Sequence, residues 1–176
     1  LTKPIGTGII ATAVKRGLAD NDQQRDAIQI MSELNQIAAT CMLTYPVNAC
    51  TDITGFGLLG HLREMVHSTS SGAIIYPSKV PFIKGVRNLA ANGIVPGGTE
   101  NNLAYVSDQV IWGKSISQTE KLLLCDAQTS GGLLIAVPGK FVEDLLNDLH
   151  AKGIDQSAVI GELTIDNHGM ISIPDY

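Results

Sequence analysis

The sequence predicts a mixed α/β domain: an α+β arrangement of sheet and helix layers that ends in an antiparallel strand pair. Three observations carry that prediction. Apolar residues recur at three-four spacing in several windows. Short apolar runs bounded by Gly, Pro and Asn fall between those windows. The two patterns interleave along the chain, which argues against both a helical bundle and an all-β barrel. At 176 residues the chain is long enough for one domain with a sizeable core and marginal for two.

The elements follow in order. Gly6 to Arg16 places Ile9, Ile10, Ala13 and Val14 on one face and ends at Gly17, a helix stop. Asn21 or Asp22 caps a longer helix, with an apolar face through Ala27, Ile30, Met31, Leu34, Ile37, Ala38, Cys41 and Met42. Val47 to Thr51 reads as a buried strand. Gly55 opens a helix that buries Phe56, Leu58, Leu59, Leu62, Met65 and Val66. Ser68 to Gly72 is turn material, and Ala73 to Tyr76 a strand. Phe82 to Ala91 is helical and stops at Asn92-Gly93. Pro96-Gly97-Gly98-Thr99 reads as a loop. Asn101 to Lys114 is polar and mixed, without a clear period. Gln118 to Leu124 is a short helix, Leu133 to Val137 a buried strand, and Phe141 to His150 an amphipathic helix capped by Gly153. Ala158 to Ile165 and Met170 to Ile173 alternate as strands around Asp166-Asn167-His168-Gly169, a hairpin-like finish.

Composition narrows the function classes. A hydrophobic fraction of 44% with 16% charged residues belongs to a globular chain, and with aromatics at 5% the core must be mostly Ile, Leu, Val and Ala. The net charge of −5 provides no basic footprint for nucleic acid and no polybasic patch for a membrane surface. No apolar run approaches the roughly 20 residues of a membrane span. Three widely spaced cysteines, Cys41, Cys50 and Cys125, suit neither a metal-ligand pair nor a disulfide framework, so a cytoplasmic location is expected. The start at Leu1 rather than Met leads us to expect a piece of a longer protein.

Chemistry concentrates around Asp52. This carboxylate falls where a strand ends and a helix is about to begin, and ligands collect at the carboxyl ends of strands in α/β architectures. It is a hard oxygen ligand of the kind Mg²⁺ takes together with substrate phosphates. Thr51 and Thr54 add hydroxyls, while Gly55 and Gly57 allow close backbone approach. The same residues also read as an ordinary N-cap with close strand–helix packing. Spacing alone leaves both readings open.

Four ordered blocks resemble one family. Thr51-Asp52-Ile53-Thr54-Gly55-Phe56-Gly57-Leu58-Leu59-Gly60-His61 resembles the T-D-[IV]-T-G-F-G-[LI]-L-G-H block of selenophosphate synthetases (selenide, water dikinases). Leu1-Thr2-Lys3-Pro4-Ile5-Gly6-Thr7-Gly8 resembles the entry into their C-terminal domain. Pro96-Gly97-Gly98-Thr99, with Asn102 and Tyr105, resembles P-G-G-T-x-R-N-x-x-Y, with Asn101 where the family has Arg. Asp126-Ala127-Gln128-Thr129-Ser130-Gly131-Gly132-Leu133-Leu134 resembles D-P-Q-T-S-G-G-L-L, with Ala127 in place of Pro.

The resemblance implies that residues 1–176 are a single C-terminal domain, similar to that of aminoimidazole ribonucleotide synthetase, of a two-domain homodimeric enzyme. Such an enzyme makes selenophosphate from ATP, selenide and water, releasing AMP and phosphate. Its N-terminal domain, which would be this chain's partner, holds most of the ATP and Mg²⁺ ligands and the catalytic Cys or selenocysteine. The family's metal-ligating aspartate of the C-terminal domain matches Asp52, while Thr51 and Gly55 are candidates for the nucleotide's surroundings. Lys3 is a candidate for a phosphate or for a surface or interdomain role. His61 is expected to satisfy a core or interdomain hydrogen bond, and Thr129 and Ser130 to form a tight turn. Other members of the superfamily, or a catalytically silent relative acting as a scaffold, are the alternatives.

Overall fold

Eight helices and six strands follow one another in the computed structural model, which describes residues 1–67, 69–166 and 168–175. They are α1 (Thr7–Lys15), α2 (Asn21–Ser32), α3 (Gln36–Met42), β1 (Ala49–Asp52), α4 (Gly57–Val66), β2 (Gly72–Ile75), α5 (Val86–Ala91), α6 (Gly97–Tyr105), β3 (Val110–Trp112), α7 (Gln118–Leu124), β4 (Leu133–Ala136), α8 (Val142–Ala151), β5 (Gly161–Thr164) and β6 (Ile171–Ile173).

The strands form two sheets. β1 and β4 pair antiparallel, with Asp52 opposite Leu133 and Ala49 opposite Ala136. The second sheet has the order β3-β6-β2-β5, with β5 antiparallel to β2 and β6 parallel to both β2 and β3. α4 lies at the centre. Gly57 through Leu62 and Val66 are all buried, and Leu58, Leu59 and Leu62 join Ile75, Ile160, Ile171 and Ile173 in the main core. A helix buried on nearly every side needs no polar face, which its sequence lacks until Arg63. A second core unites α1, α2, α5 and α7 through Ile9, Ile10, Ala27, Val86 and Leu123. A third packs α3 and α8 against the two-stranded sheet.

Several expectations need correction. The long helix from Asn21 to Met42 is two helices, because Glu33 turns extended at ψ 128° and the Lys3 ammonium takes carbonyl oxygens at the end of α2. The apolar spacing continues past the break but the burial follows only in part: Leu34 is 78% exposed, whereas Ala38 and Cys41 are buried. Its cap is Asp20, whose side chain accepts from Gln23 N while Gln23 reciprocates to Asp20 N. The Pro96–Thr99 segment is the start of α6, not a loop. Buried hydrogen bonds from Thr99 and Asn102 hold that first turn in place despite its two glycines.

β5 and β6 both exist but do not form a hairpin, since β2 lies between them. Alternation marks a strand, not its neighbour. Within the proposed turns, Ser68 and Asn167 lie outside the described residues. Phe56, expected inside, is 48% exposed and stacks on Tyr105 with ring centroids 5.6 Å apart.

Candidate functional site

Three of the four sequence blocks meet around one buried carboxylate. Asp126, fully buried at the end of α7, accepts from Thr99 Oγ1 at 2.9 Å, Gln128 Nε2 at 2.8 Å, and the backbone N–H groups of Gly8 and Ile9 at 3.1 and 3.3 Å. Gln128 Oε1 in turn accepts from Gly6 N, Thr7 N and Thr7 Oγ1 at 3.0–3.2 Å. Asp126 and Gln128 therefore serve the first N–H groups of α1, whose own N-cap, Gly6, carries no side chain. Burial pushes the Asp126 carboxyl up to about 6, and the Thr99, Gln128, Ile9 and Gly8 hydrogen bonds oppose that rise. The backbones close in so tightly here that a Cβ on Gly8 would lie 2.1 Å from the Ala127 carbonyl oxygen.

Lys3 occupies a matching position on the other side. Its ammonium donates to the carbonyls of Ile30 (3.1 Å), Glu33 (2.7 Å) and Ser130 (2.9 Å). All three donors are committed and the side chain is buried, so Lys3 neither reaches a phosphate nor lies at the surface. Burial lowers its pKa, with Glu33 opposing the shift. Lys3 ties the C-terminal end of α2 to Ser130, whose φ of 50° marks a tight turn, while Thr129 N donates to Thr7 Oγ1 at 3.0 Å. The side chains of Thr129 and Ser130 face outward.

Between these anchors runs the loop 52–57. Ile53 N donates to Gly132 O at 2.8 Å. The Thr54 carbonyl accepts from Gly57 N and Gln128 N at 2.9 and 3.0 Å, and Asn102 Nδ2 donates to Gly55 O at 2.8 Å. Thr54 Oγ1 lies 3.1 Å from His61 Nε2. The 126–134 block, through Gly132 and Gln128, and the 96–105 block, through Asn102, thus each clamp the backbone that follows Asp52.

The loop presents Asp52 outward. Its carboxylate is exposed and accepts no hydrogen bond from the described residues. Thr51 leaves the strand on the opposite face, as adjacent strand residues do, and its hydroxyl donates to the Asp52 carbonyl at 3.3 Å. His61 is buried behind the loop.

The two loop glycines differ. At Gly57, φ is +69° and a Cβ would lie 2.7 Å from the Cys125 carbonyl oxygen, so fold geometry requires glycine. Gly55 has neither constraint: its φ lies outside the left-handed region and a Cβ there would meet nothing within 4 Å. Packing therefore accounts for Gly57 and leaves Gly55 unexplained within this chain.

An exposed, unpaired carboxylate beside an open glycine fits a hard cation that keeps most of its ligands as water or phosphate oxygen. Among the described residues no group of three or more His, Cys, Asp and Glu side chains comes together as a metal site. Asp52 alone offers one carboxylate, not a metal centre. A cavity of about 400 Å³ lies elsewhere, between Leu62, Met65, Ile75, Leu145, Leu149 and Ile160. Its walls are mostly apolar with Thr2, Asn48, Ser157 and Glu162 among them, and none of the loop residues lines it.

Sequence reasoning named the block residues but missed the hub of Asp126, Gln128, Thr99 and Asn102. The available signal was a carboxylate and an amide set between the apolar runs Leu122–Cys125 and Leu133–Ala136, where buried polar groups must be satisfied.

A buried helix, α4, that shares one core with strands of both sheets frames an AIR synthase-type C-terminal domain. The profile of the AIR synthase related protein, C-terminal domain, matches residues 1–173, and the chain belongs to that family. Its relatives include the selenide, water dikinase of Aliarcobacter butzleri (strain RM4018), 41% identical over 173 residues, which cover 98% of this chain and 50% of that protein. The selenide, water dikinase of Pelobacter propionicus is 47% identical over 163 residues, 93% of this chain and 47% of that protein. The chain spans about half the length of these curated relatives. Among solved structures, hydrogenase maturation protein HypE in complex with ATP superimposes with a TM-score of 0.63 at 16% identity, covering 98% of this chain and 45% of that one. That likeness concerns the fold alone.

Proposed function

We propose that this chain is the C-terminal domain of a selenide, water dikinase and that Asp52 supplies its one carboxylate to a Mg²⁺–ATP site completed by the other half of the protein. The observation that carries this reading is the exposed Asp52 carboxylate beside Gly55, on a loop clamped by Asn102, Gln128, Gly132 and His61. Asp52 would hold a Mg²⁺ ion together with ligands from the other half of the protein, and the ion would supply charge neutralisation during phosphoryl transfer. The chain's own residues do the placing. Asp52 offers a hard oxygen whose position is fixed by the backbone hydrogen bonds of Ile53, Thr54 and Gly55. Gly55 leaves room for a phosphate oxygen to approach the backbone, and Thr51 steadies the strand end from its other face.

ATP as the nucleotide is supported by the kinase names of the curated relatives and by the ATP complex of the HypE fold neighbour. An N-terminal domain as partner is supported by the length of those relatives. Assembly as a homodimer and a cytoplasmic location belong to the same proposal. The three free thiols, Cys41, Cys50 and Cys125, accord with a reducing compartment.

The test is selenide-dependent conversion of ATP to AMP and phosphate by the intact protein, with the 176-residue chain assayed alongside. We expect AMP formation by the intact protein and none by this chain alone. An intact protein that hydrolyses no ATP with selenide would overturn the dikinase reading in favour of a silent scaffold. Full turnover by this chain alone would place the whole site within it.

A further inference from the structure

We infer that His61 is a positioning residue for Asp52, acting through Thr54. The inference rests on the reading of Asp52 as a metal ligand given above. His61 lies in the second turn of α4, is 8% exposed, and reaches back to the loop that precedes its own helix. Nε2 lies 3.1 Å from Thr54 Oγ1. The ring meets Phe56 edge-on, with centroids 5.7 Å apart and planes at 64°. Nδ1 is shut off from water and lacks a hydrogen-bond partner of acceptable angle, with the Glu64 carboxylate 3.2 Å away. A proton on Nδ1, facing Glu64, leaves Nε2 to accept from the Thr54 hydroxyl.

Thr54 is where this matters. Its carbonyl already accepts from Gly57 N and Gln128 N, so the backbone of residue 54 is tied to α4 and to the 126–132 segment. Those two bonds fix the carbonyl direction. The hydroxyl bond to His61 fixes the side chain, the one part of residue 54 that those backbone bonds leave free to turn. Asp52 is two residues upstream, and only Ile53, buried and bonded to Gly132 O, lies between. A rotation at Thr54 therefore reaches the exposed carboxylate with little to absorb it. His61 is too buried to touch a nucleotide or metal ion, so its effect must pass through the loop. Groups hydrogen-bonded to a metal ligand typically change metal affinity 10- to 100-fold when removed; neither Thr54 nor His61 bonds the Asp52 carboxylate, so a smaller loss of about three- to tenfold is expected.

Metal affinity is the readout. Mn²⁺ replaces Mg²⁺ in the intact protein with a non-hydrolysable ATP analogue, and free Mn²⁺ is measured by EPR for wild type, Asp52→Asn, Thr54→Val, His61→Phe, Thr54→Val/His61→Phe and His61→Gln. We expect Asp52→Asn to weaken Mn²⁺ binding most. Thr54→Val and His61→Phe should each weaken it about three- to tenfold, with the double variant no worse than either. His61→Gln, whose amide oxygen can accept from the Thr54 hydroxyl in place of Nε2, should restore most of the affinity. A folded His61→Phe and Thr54→Val that bind Mn²⁺ like wild type, beside an impaired Asp52→Asn, would overturn the positioning role and leave the metal-ligand reading standing. Unchanged binding in Asp52→Asn would overturn both. Should His61→Phe not fold, Thr54→Val removes the same hydrogen bond from a half-buried position and decides the question by itself.

Discussion

Replacing Asp126 by Asn tests the hub on which the candidate site is built. The carboxyl is fully buried, its hydrogen-bond partners are all neutral, and burial raises it from 3.8 to about 6. A raised acid binds its proton more tightly in the folded chain than in the unfolded one. Unfolding free energy from this group therefore falls as pH rises between about 4 and 6, and the penalty is fully present above about 6. At 1.36 kcal/mol per pH unit the interval corresponds to roughly 3 kcal/mol. Asn mimics the protonated acid: its oxygen can accept from Gly8 N and Ile9 N, while its amide donates to Thr99 Oγ1. Urea unfolding of both chains at several pH values from 4 to 7.5 isolates the effect, because other titrating groups cancel in the difference. At pH 4 the two should agree within about 1 kcal/mol, and by pH 7 the Asn variant should be the more stable by up to about 3 kcal/mol. A wild type more stable at pH 7, with an advantage that shrinks on acidification, would refute the reasoning. It would mean that the four donors and the N-terminus of α1 keep the carboxylate charged.

Other substitutions separate structural from functional residues. Lys3→Met should cost about 2–4 kcal/mol, because the Ile30, Glu33 and Ser130 carbonyls lose their shared donor in a buried site; a thermal melt within 2 °C of wild type would contradict this. Gly57→Ala should destabilise by about 2–4 kcal/mol through its positive φ and the contact with Cys125 O, as read by chemical denaturation. Gly55→Ala should change stability by less than about 1 kcal/mol yet lower kcat/KM for ATP in the intact protein about 10- to 100-fold. Equal kinetics in that variant would remove Gly55 from the nucleotide's surroundings.

Much of the fold was legible because its elements are marked locally. Gln118–Leu124 is bounded by Ser117, whose side chain makes a capping box with Glu120, and that signal survives in any tertiary context. What escaped detection depends on distant partners. The break after Ser32 comes from Lys3, far away in sequence, and the helix at Gly97 depends on Thr99 and Asn102 reaching Asp126, Cys125 and Gly55. The insertion of β2 between β5 and β6 follows no local rule.

The candidate site divides along the same line. The Asp52 loop was visible as a motif, and the structure shows why its glycines are not equivalent. Lys3 read as a candidate for a phosphate or for a surface or interdomain role, because an isolated cation in a sequence block has no visible partner. Its partners are backbone carbonyls, which a sequence does not display.

The most direct measurement is the kinetics of Asp52→Asn in the intact protein, with selenide-dependent AMP formation followed across a range of Mg²⁺ and a thermal melt as control. The carboxylate is exposed and accepts no hydrogen bond from the described residues, so the melt should move by less than about 2 °C. AMP formation should fall at least about 100-fold, with part of the loss recovered at high Mg²⁺. A variant that melts like wild type and also turns over like wild type at every Mg²⁺ concentration would contradict the assignment of Asp52 as this domain's metal ligand.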